Sequence, residues 1–104
     1  MPMRVAREEI KILVSRPDKK PYVKSVRKCM SSLYEIVYYP YREFEIEKDL
    51  FLISSKEAEQ ECFKFNRMVA GVKIYGSCVI LTRQGSNLQS LSEQQIRNYM
   101  GKEF

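Results

Sequence analysis

The sequence predicts a single α+β domain, a mostly antiparallel sheet of about five strands with two helices at residues 21–34 and 93–100. Three observations predict it. Short stretches alternate apolar and polar residues with period two, one stripe after Pro21 has helical spacing, and a capped amphipathic segment closes the chain. All of this lies within 104 residues, the length of one domain, with a core over about residues 9–100.

The first strand is Glu9 to Ser15, where Ile10, Ile12 and Val14 alternate with Glu9, Lys11 and Leu13. Pro17 ends it, because the residue before a proline is pushed out of the helical region, and Pro21 suits a first helical turn. Val23, Val26, Met30 and Leu33 then form an apolar stripe. Residues 35–41 have strong β-propensity up to Pro40, which cannot donate to a ladder. Arg42 to Glu47 alternates charged and apolar residues and gives a strand with Phe44 and Ile46 inward. Leu50 to Ile53 is a continuous apolar run, expected of a central strand. Residues 54–61 are polar and acidic and read as a loop or one helical turn. The longest strand signal runs over residues 71–82, with Gly76 as a bulge or bend. Ser92 and Gln95 form a capping box, Leu91 and Ile96 a hydrophobic staple, and Gly101 a C-terminal cap. A sheet covered on one face accommodates these elements.

Composition excludes whole classes of chemistry. There is no His among 18 Lys/Arg and 13 Asp/Glu, so Ser-His-Asp, Cys-His and HExxH mechanisms are absent. No phosphate-binding glycine loop and no calcium-loop spacing occurs; Glu57, Glu59 and Glu61 are spaced for a solvated strand or turn. Cys29, Cys62 and Cys78 are odd in number and lack CxxC spacing, which argues against a disulfide framework or a metal site and for free thiols in a reducing cytoplasm. Cys62 beside Lys64 is a poor nucleophile candidate. The longest apolar runs are four residues, far below a membrane span, and the N-terminus lacks the apolar core of a signal peptide. The expectation is a protein without catalytic residues, metal or cofactor that acts by binding.

The net charge of +5 is unevenly spread. Residues 1–34 hold nine Lys/Arg against three Asp/Glu, residues 35–66 four against eight, and residues 67–104 five against two. The basic N-terminal third suits phosphates, nucleic acid or an acidic protein, although it equally serves as a solvated face.

Three groups are candidate binding residues. Arg16, Lys19, Lys20 and Tyr22 surround the expected start of a helix, whose free N–H groups favour an anion; a stiff solvated turn is the alternative. Tyr38, Tyr39 and Tyr75 are candidates for stacking a base, against a core role for half of the tyrosines. Asn66, Arg67 and Lys73 form the third group, with Arg67 as a bidentate clamp on phosphate or carboxylate. Arg67 bridging to Glu43 or Glu45 is equally consistent.

The order of these signals resembles a family. Ile10-Lys-Ile-Leu-Val14 with Lys20-Pro-Tyr-Val23, Glu35-Ile-Val37 with Tyr39-Pro40, Asn66-Arg67, Ala70-Gly71 and Leu91-Ser-Glu-Gln-Gln-Ile96 are similar to an uncharacterised domain-of-unknown-function family from phages, plasmids and integrative elements of Gram-positive bacteria. The likeness covers about residues 9–100. Residues 54–65 depart from it, being acidic where the family has a glycine-containing hairpin followed by prolines. The resemblance implies an accessory protein of a mobile element, in the cytoplasm of the bacterial host, that antagonises host defence. Together with the phosphate-friendly groups it leads to an expected partner: a nucleotide-type, phosphate-bearing small molecule that the protein sequesters, or a host defence protein that it occludes. Sequence-nonspecific nucleic-acid binding is the alternative, no membrane is expected, and the edge at residues 38–41 offers a surface for a homo-oligomer because strand edges pair readily.

Overall fold

The computed structural model describes residues 8–37, 39–57 and 62–100. β1 (Glu9–Ser15) pairs antiparallel with β2 (Tyr22–Arg27) on one side and with the central strand β7 (Cys78–Gln84) on the other. β7 in turn pairs with β4 (Leu50–Ser55), and β4 with β3 (Tyr41–Glu47). The strand order is therefore β2-β1-β7-β4-β3, with β8 (Asn87–Gln89) completing a six-stranded sheet by pairing with the last residues of β7. β5 (Phe65–Val69) and β6 (Val72–Tyr75) form a separate hairpin. The helices are α1 (Met30–Tyr34) and α2 (Glu93–Met100). The chain is thus α+β and mostly antiparallel, with eight strands among the described residues rather than about five.

The sheet is covered on both faces, not one. Ile10, Ile12, Val14, Ile53, Val79 and Leu81 point to a first core closed by Leu33 of α1 and Val37 after it. Leu13, Leu50, Leu52, Cys78 and Ile80 point to a second core, closed by Val69 and Ile74 of the hairpin and by Leu91, with Ile96 and Tyr99 of α2 packed against it. This explains the unbroken apolar runs, and it places Leu13 in the interior although it alternates with the core residues of β1. Each fully buried Leu or Ile contributes roughly 1.5–3 kcal/mol, so both faces stabilise the sheet.

The expected helix over residues 21–34 is the main correction. Residues 22–27 are strand, because Val23 and Val26 are β-branched and β1 offers a complete antiparallel partner from Val14↔Tyr22 to Glu9↔Arg27. The tight turn before β2 is closed by Lys19 N–H donating to the Arg16 carbonyl at 3.2 Å, with Asp18 at φ 64°. Only residues 30–34 are helical. The expected strand over residues 35–41 is also replaced. Glu35 N–H bonds the Ser31 carbonyl and Ile36 N–H the Leu33 carbonyl, so the chain turns off α1 and enters β3 only at Tyr41.

Gly76 divides the expected long strand into β6 and β7. It sits at φ 75°, donates its N–H to the Lys64 carbonyl, and leaves no room for a side chain, since a Cβ would lie 2.9 Å from Phe63 Cδ2. Ala70 at φ 49° and Gly71 at φ 80° make the two-residue turn of the β5–β6 hairpin. α2 starts as the sequence indicates: Gln95 N–H donates to Ser92 Oγ at 3.1 Å, and Ser92 N–H to Gln95 Oε1 at 2.8 Å. The expected cap Gly101 lies outside the described residues. No helix among them is long and apolar enough to cross a membrane.

Candidate functional site

Asn66 and Arg67 lie where the hairpin crosses the sheet. Asn66 Nδ2 donates to the Ser15 carbonyl (3.0 Å) and the Gly76 carbonyl (2.8 Å), and its Oδ1 accepts from Ser15 Oγ (3.2 Å) and Arg67 Nε (2.9 Å). Arg67 Nη2 reaches the Lys19 carbonyl at 3.4 Å. Arg42 works in the same way from β3, donating to Ser54 Oγ and to the Lys73 carbonyl, both at 2.9 Å. Arg16 donates to Ser77 Oγ at 3.0 Å, and Lys64 pairs with Asp18. Burial pushes the Cys78 thiol up to about 12 despite the nearby Arg67 and Arg42 guanidinium groups, so it is inert packing at neutral pH. At the junction Arg42 and Arg67 donate to a hydroxyl, an amide oxygen and backbone carbonyls. Glu43 is held by Arg83, at 3.0 and 3.2 Å, and not by Arg67.

The remaining sequence candidates are dispersed. Lys73 and Tyr75 are on the outer face of the hairpin, away from Arg67, because Ile74 between them points into the second core. There the Tyr75 ring meets the exposed Phe65 edge to face at 5.4 Å. Lys19 and Lys20 are exposed in the β1–β2 turn and Tyr22 opens β2. With a strand in place of the expected helix, no helix N-terminus stands behind them. Tyr39 is 81% exposed and touches Tyr41 edge on, while Tyr41 stacks on Tyr34 at 4.1 Å. Tyr38 lies outside the described residues.

A concave site exists elsewhere. A cleft of about 430 Å³ lies between β2 and α1, lined by Glu9, Arg16, Lys24, Ser25, Val26, Arg27, Ser32, Glu35 and Ile36. That volume is within the ~300–1,000 Å³ range of small-molecule sites. Of the sequence candidates, Arg16 alone contributes to it. Glu9 and Arg27 are opposite each other in the β1–β2 ladder, yet Glu9, Lys24, Arg27 and Glu35 make no ion pair with any described residue. Sequence reading missed these residues for a physical reason: they gather only when residues 22–27 are a strand. The one available signal was the basic N-terminal third itself.

Cys29 caps α1 beside this cleft. Its sulfur is 3.2 Å from the hydroxyls of Ser31 and Ser32, and Ser32 lines the cleft. The hydrogen bond from Ser31, then that from Ser32, lowers its pKa to about 7, with a smaller contribution from Arg27. Among the described residues no cluster of Cys, Asp and Glu is placed to hold a metal ion.

The sequence pattern of a family described as a domain of unknown function (DUF3846) matches residues 10–103. The chain belongs to the DUF3846 family. The DUF3846 match runs from β1 to α2, so the hairpin junction and all of the cleft except Glu9 are built from the family domain. No curated protein and no solved structure matches the chain.

Proposed function

We propose that the protein is a non-enzymatic binding protein that takes a phosphate-bearing small molecule of nucleotide type in the cleft between β2 and α1. The observation that carries the reading is the pairing of three cations, Arg16, Lys24 and Arg27, with two carboxylates, Glu9 and Glu35, in one concavity without mutual ion pairs. A nucleotide satisfies both signs, because its phosphate accepts from guanidinium and ammonium groups while its amino and hydroxyl groups donate to carboxylates. Ser25 and Ser32 offer hydroxyls that serve either end. The resemblance to a family of mobile elements supplies the setting, in which sequestering a host signal antagonises defence.

Calorimetry against cyclic mononucleotides, cyclic dinucleotides and ADP-ribose tests the proposal. At least one is expected to bind one to one, with affinity lowered about tenfold or more, a loss of about 1.4 kcal/mol, in Lys24→Ala and Arg27→Ala. Absence of binding across the panel, with Lys24→Glu silent in a phage-protection assay, contradicts it.

A second reading, nucleic-acid binding, is favoured by the exposure of Lys19, Lys20, Lys24 and Arg27 along the β1–β2 turn and β2. It requires affinity for DNA or RNA of any sequence that falls steeply with salt. A flat salt response rejects it.

A further inference from the structure

β2 and β3 end the path of paired strands, so each presents an outer backbone edge to which no described strand pairs. Their charges are opposite. β2 carries Lys24 and Arg27 with no acid, whereas β3 carries Glu43, Glu45 and Glu47 against the single Arg42. Like charges across a strand pair are destabilising and charged edges repel their own kind, which disfavours β2 on β2 and β3 on β3. The mixed pairing has no such penalty.

The ladder fixes how two copies would meet. Every neighbouring pair in the sheet is antiparallel, so β2 and β3 of one chain run in the same direction. A second copy displaced along the sheet in the same orientation lays its β2 beside β3 as a parallel pair. Lys24 is opposite Ile12, on the first-core face, and Glu43 and Glu45 are opposite Ile53 and Phe51 on that same face. Arg27, three residues further on, belongs to the other face. The bulge between Glu45 and Glu47 brings Glu47 opposite Leu50, also on that other face. Without the bulge Glu47 would share the face of Glu45, and Glu43, Glu45 and Glu47 would all lie on the face opposite to that of Arg27. Glu43 is held by Arg83 through both oxygens, but Glu45 and Glu47 each use one, for the Asp49 N–H and the Tyr99 hydroxyl, and keep the other.

We propose that the chain self-associates head to tail, β2 of one copy adding to β3 of the next, with the basic edge of Lys24 and Arg27 set against the acidic edge of Glu45 and Glu47. The contact is heterologous and its surfaces remain open at both ends, so it extends past the dimer as concentration rises.

Sedimentation velocity on the full chain without ligand tests this. The mean sedimentation coefficient is expected to rise with concentration at about 0.01 M salt and to return to the monomer value near 1 M, where the screening length is about 3 Å. Lys24→Glu/Arg27→Glu and Glu45→Lys/Glu47→Lys are each expected to be monomeric alone, and a mixture of the two to regain association, because each reversed edge then finds its complement. A monomeric wild-type chain at low salt overturns the proposal, as does association of either double variant alone at wild-type strength or a mixture that stays monomeric. The wild-type salt series holds whether or not the variants fold.

Discussion

The hairpin junction and the β2–α1 cleft both gather arginines beside a buried core, and they use them in opposite ways. At the junction Arg42, Arg67 and Asn66 give their donors to carbonyls and hydroxyls of β1, β4, β6 and the β1–β2 turn. In the cleft Lys24, Arg27, Glu9 and Glu35 line a concavity with no ion pair among them. Polar groups that satisfy one another hold the fold, because a buried donor or acceptor stripped of its partner costs about 1–3 kcal/mol. Opposite charges left unmatched in a concave site have their interaction energy available to a ligand. The arginine beside an asparagine that looks most like a clamp in the sequence bonds Asn66 and the Lys19 carbonyl, while Lys24 and Arg27 on a strand line the cleft.

Substitutions separate the two regions by stability. Asn66→Ala strands the carbonyls of Ser15 and Gly76 and is expected to destabilise the fold by about 2–4 kcal/mol, seen as a lower urea midpoint. Gly76→Ala forces a Cβ against Phe63 at positive φ and is expected to cost about 1–3 kcal/mol by the same measurement. Arg42→Ala leaves the buried Ser54 hydroxyl without its donor, for a loss of about 1–2 kcal/mol. Lys24→Ala and Arg27→Ala are expected to change stability by no more than about 0.5 kcal/mol while weakening ligand binding. A cleft variant as destabilising as Asn66→Ala would break the distinction.

The thiols repeat the contrast in chemistry. The thiolate is the nucleophile, so alkylation by iodoacetamide rises with pH through the folded-state pKa and levels off above it. For Cys29 the rise is expected to be centred at about pH 7. Cys78, pushed up to about 12 by burial, is expected to stay unmodified in the folded protein across the neutral range. Peptide mapping by mass spectrometry reads both sites in one sample.

Much of the sheet was legible locally. β1, β3 and β4 carry alternation or unbroken apolar runs, and α2 carries its own cap at Ser92 and Gln95. Residues 22–34 misled because Val23, Val26, Met30 and Leu33 fit a helical stripe; what decides between helix and strand is the partner β1 supplies, which lies outside any local window. β8 has one apolar residue, Leu88, and too little pattern to read. The candidate site was less legible than the fold. Asn66 and Arg67 stood out as polar residues in an apolar stretch, but their partners Ser15, Lys19 and Gly76 are brought to them only by tertiary structure. Lys24 and Arg27 fall off the apolar stripe of the expected helix and line the cleft from the strand they occupy.

The most direct test of the cleft as the binding site is a backbone amide NMR titration with the nucleotide that binds best in calorimetry. The expected result is that the largest shifts fall on Glu9, on residues 24–27 and on residues 32–36, with β5 and β6 little changed. The largest shifts on residues 65–75, with the cleft silent, would contradict the account and return the site to the hairpin.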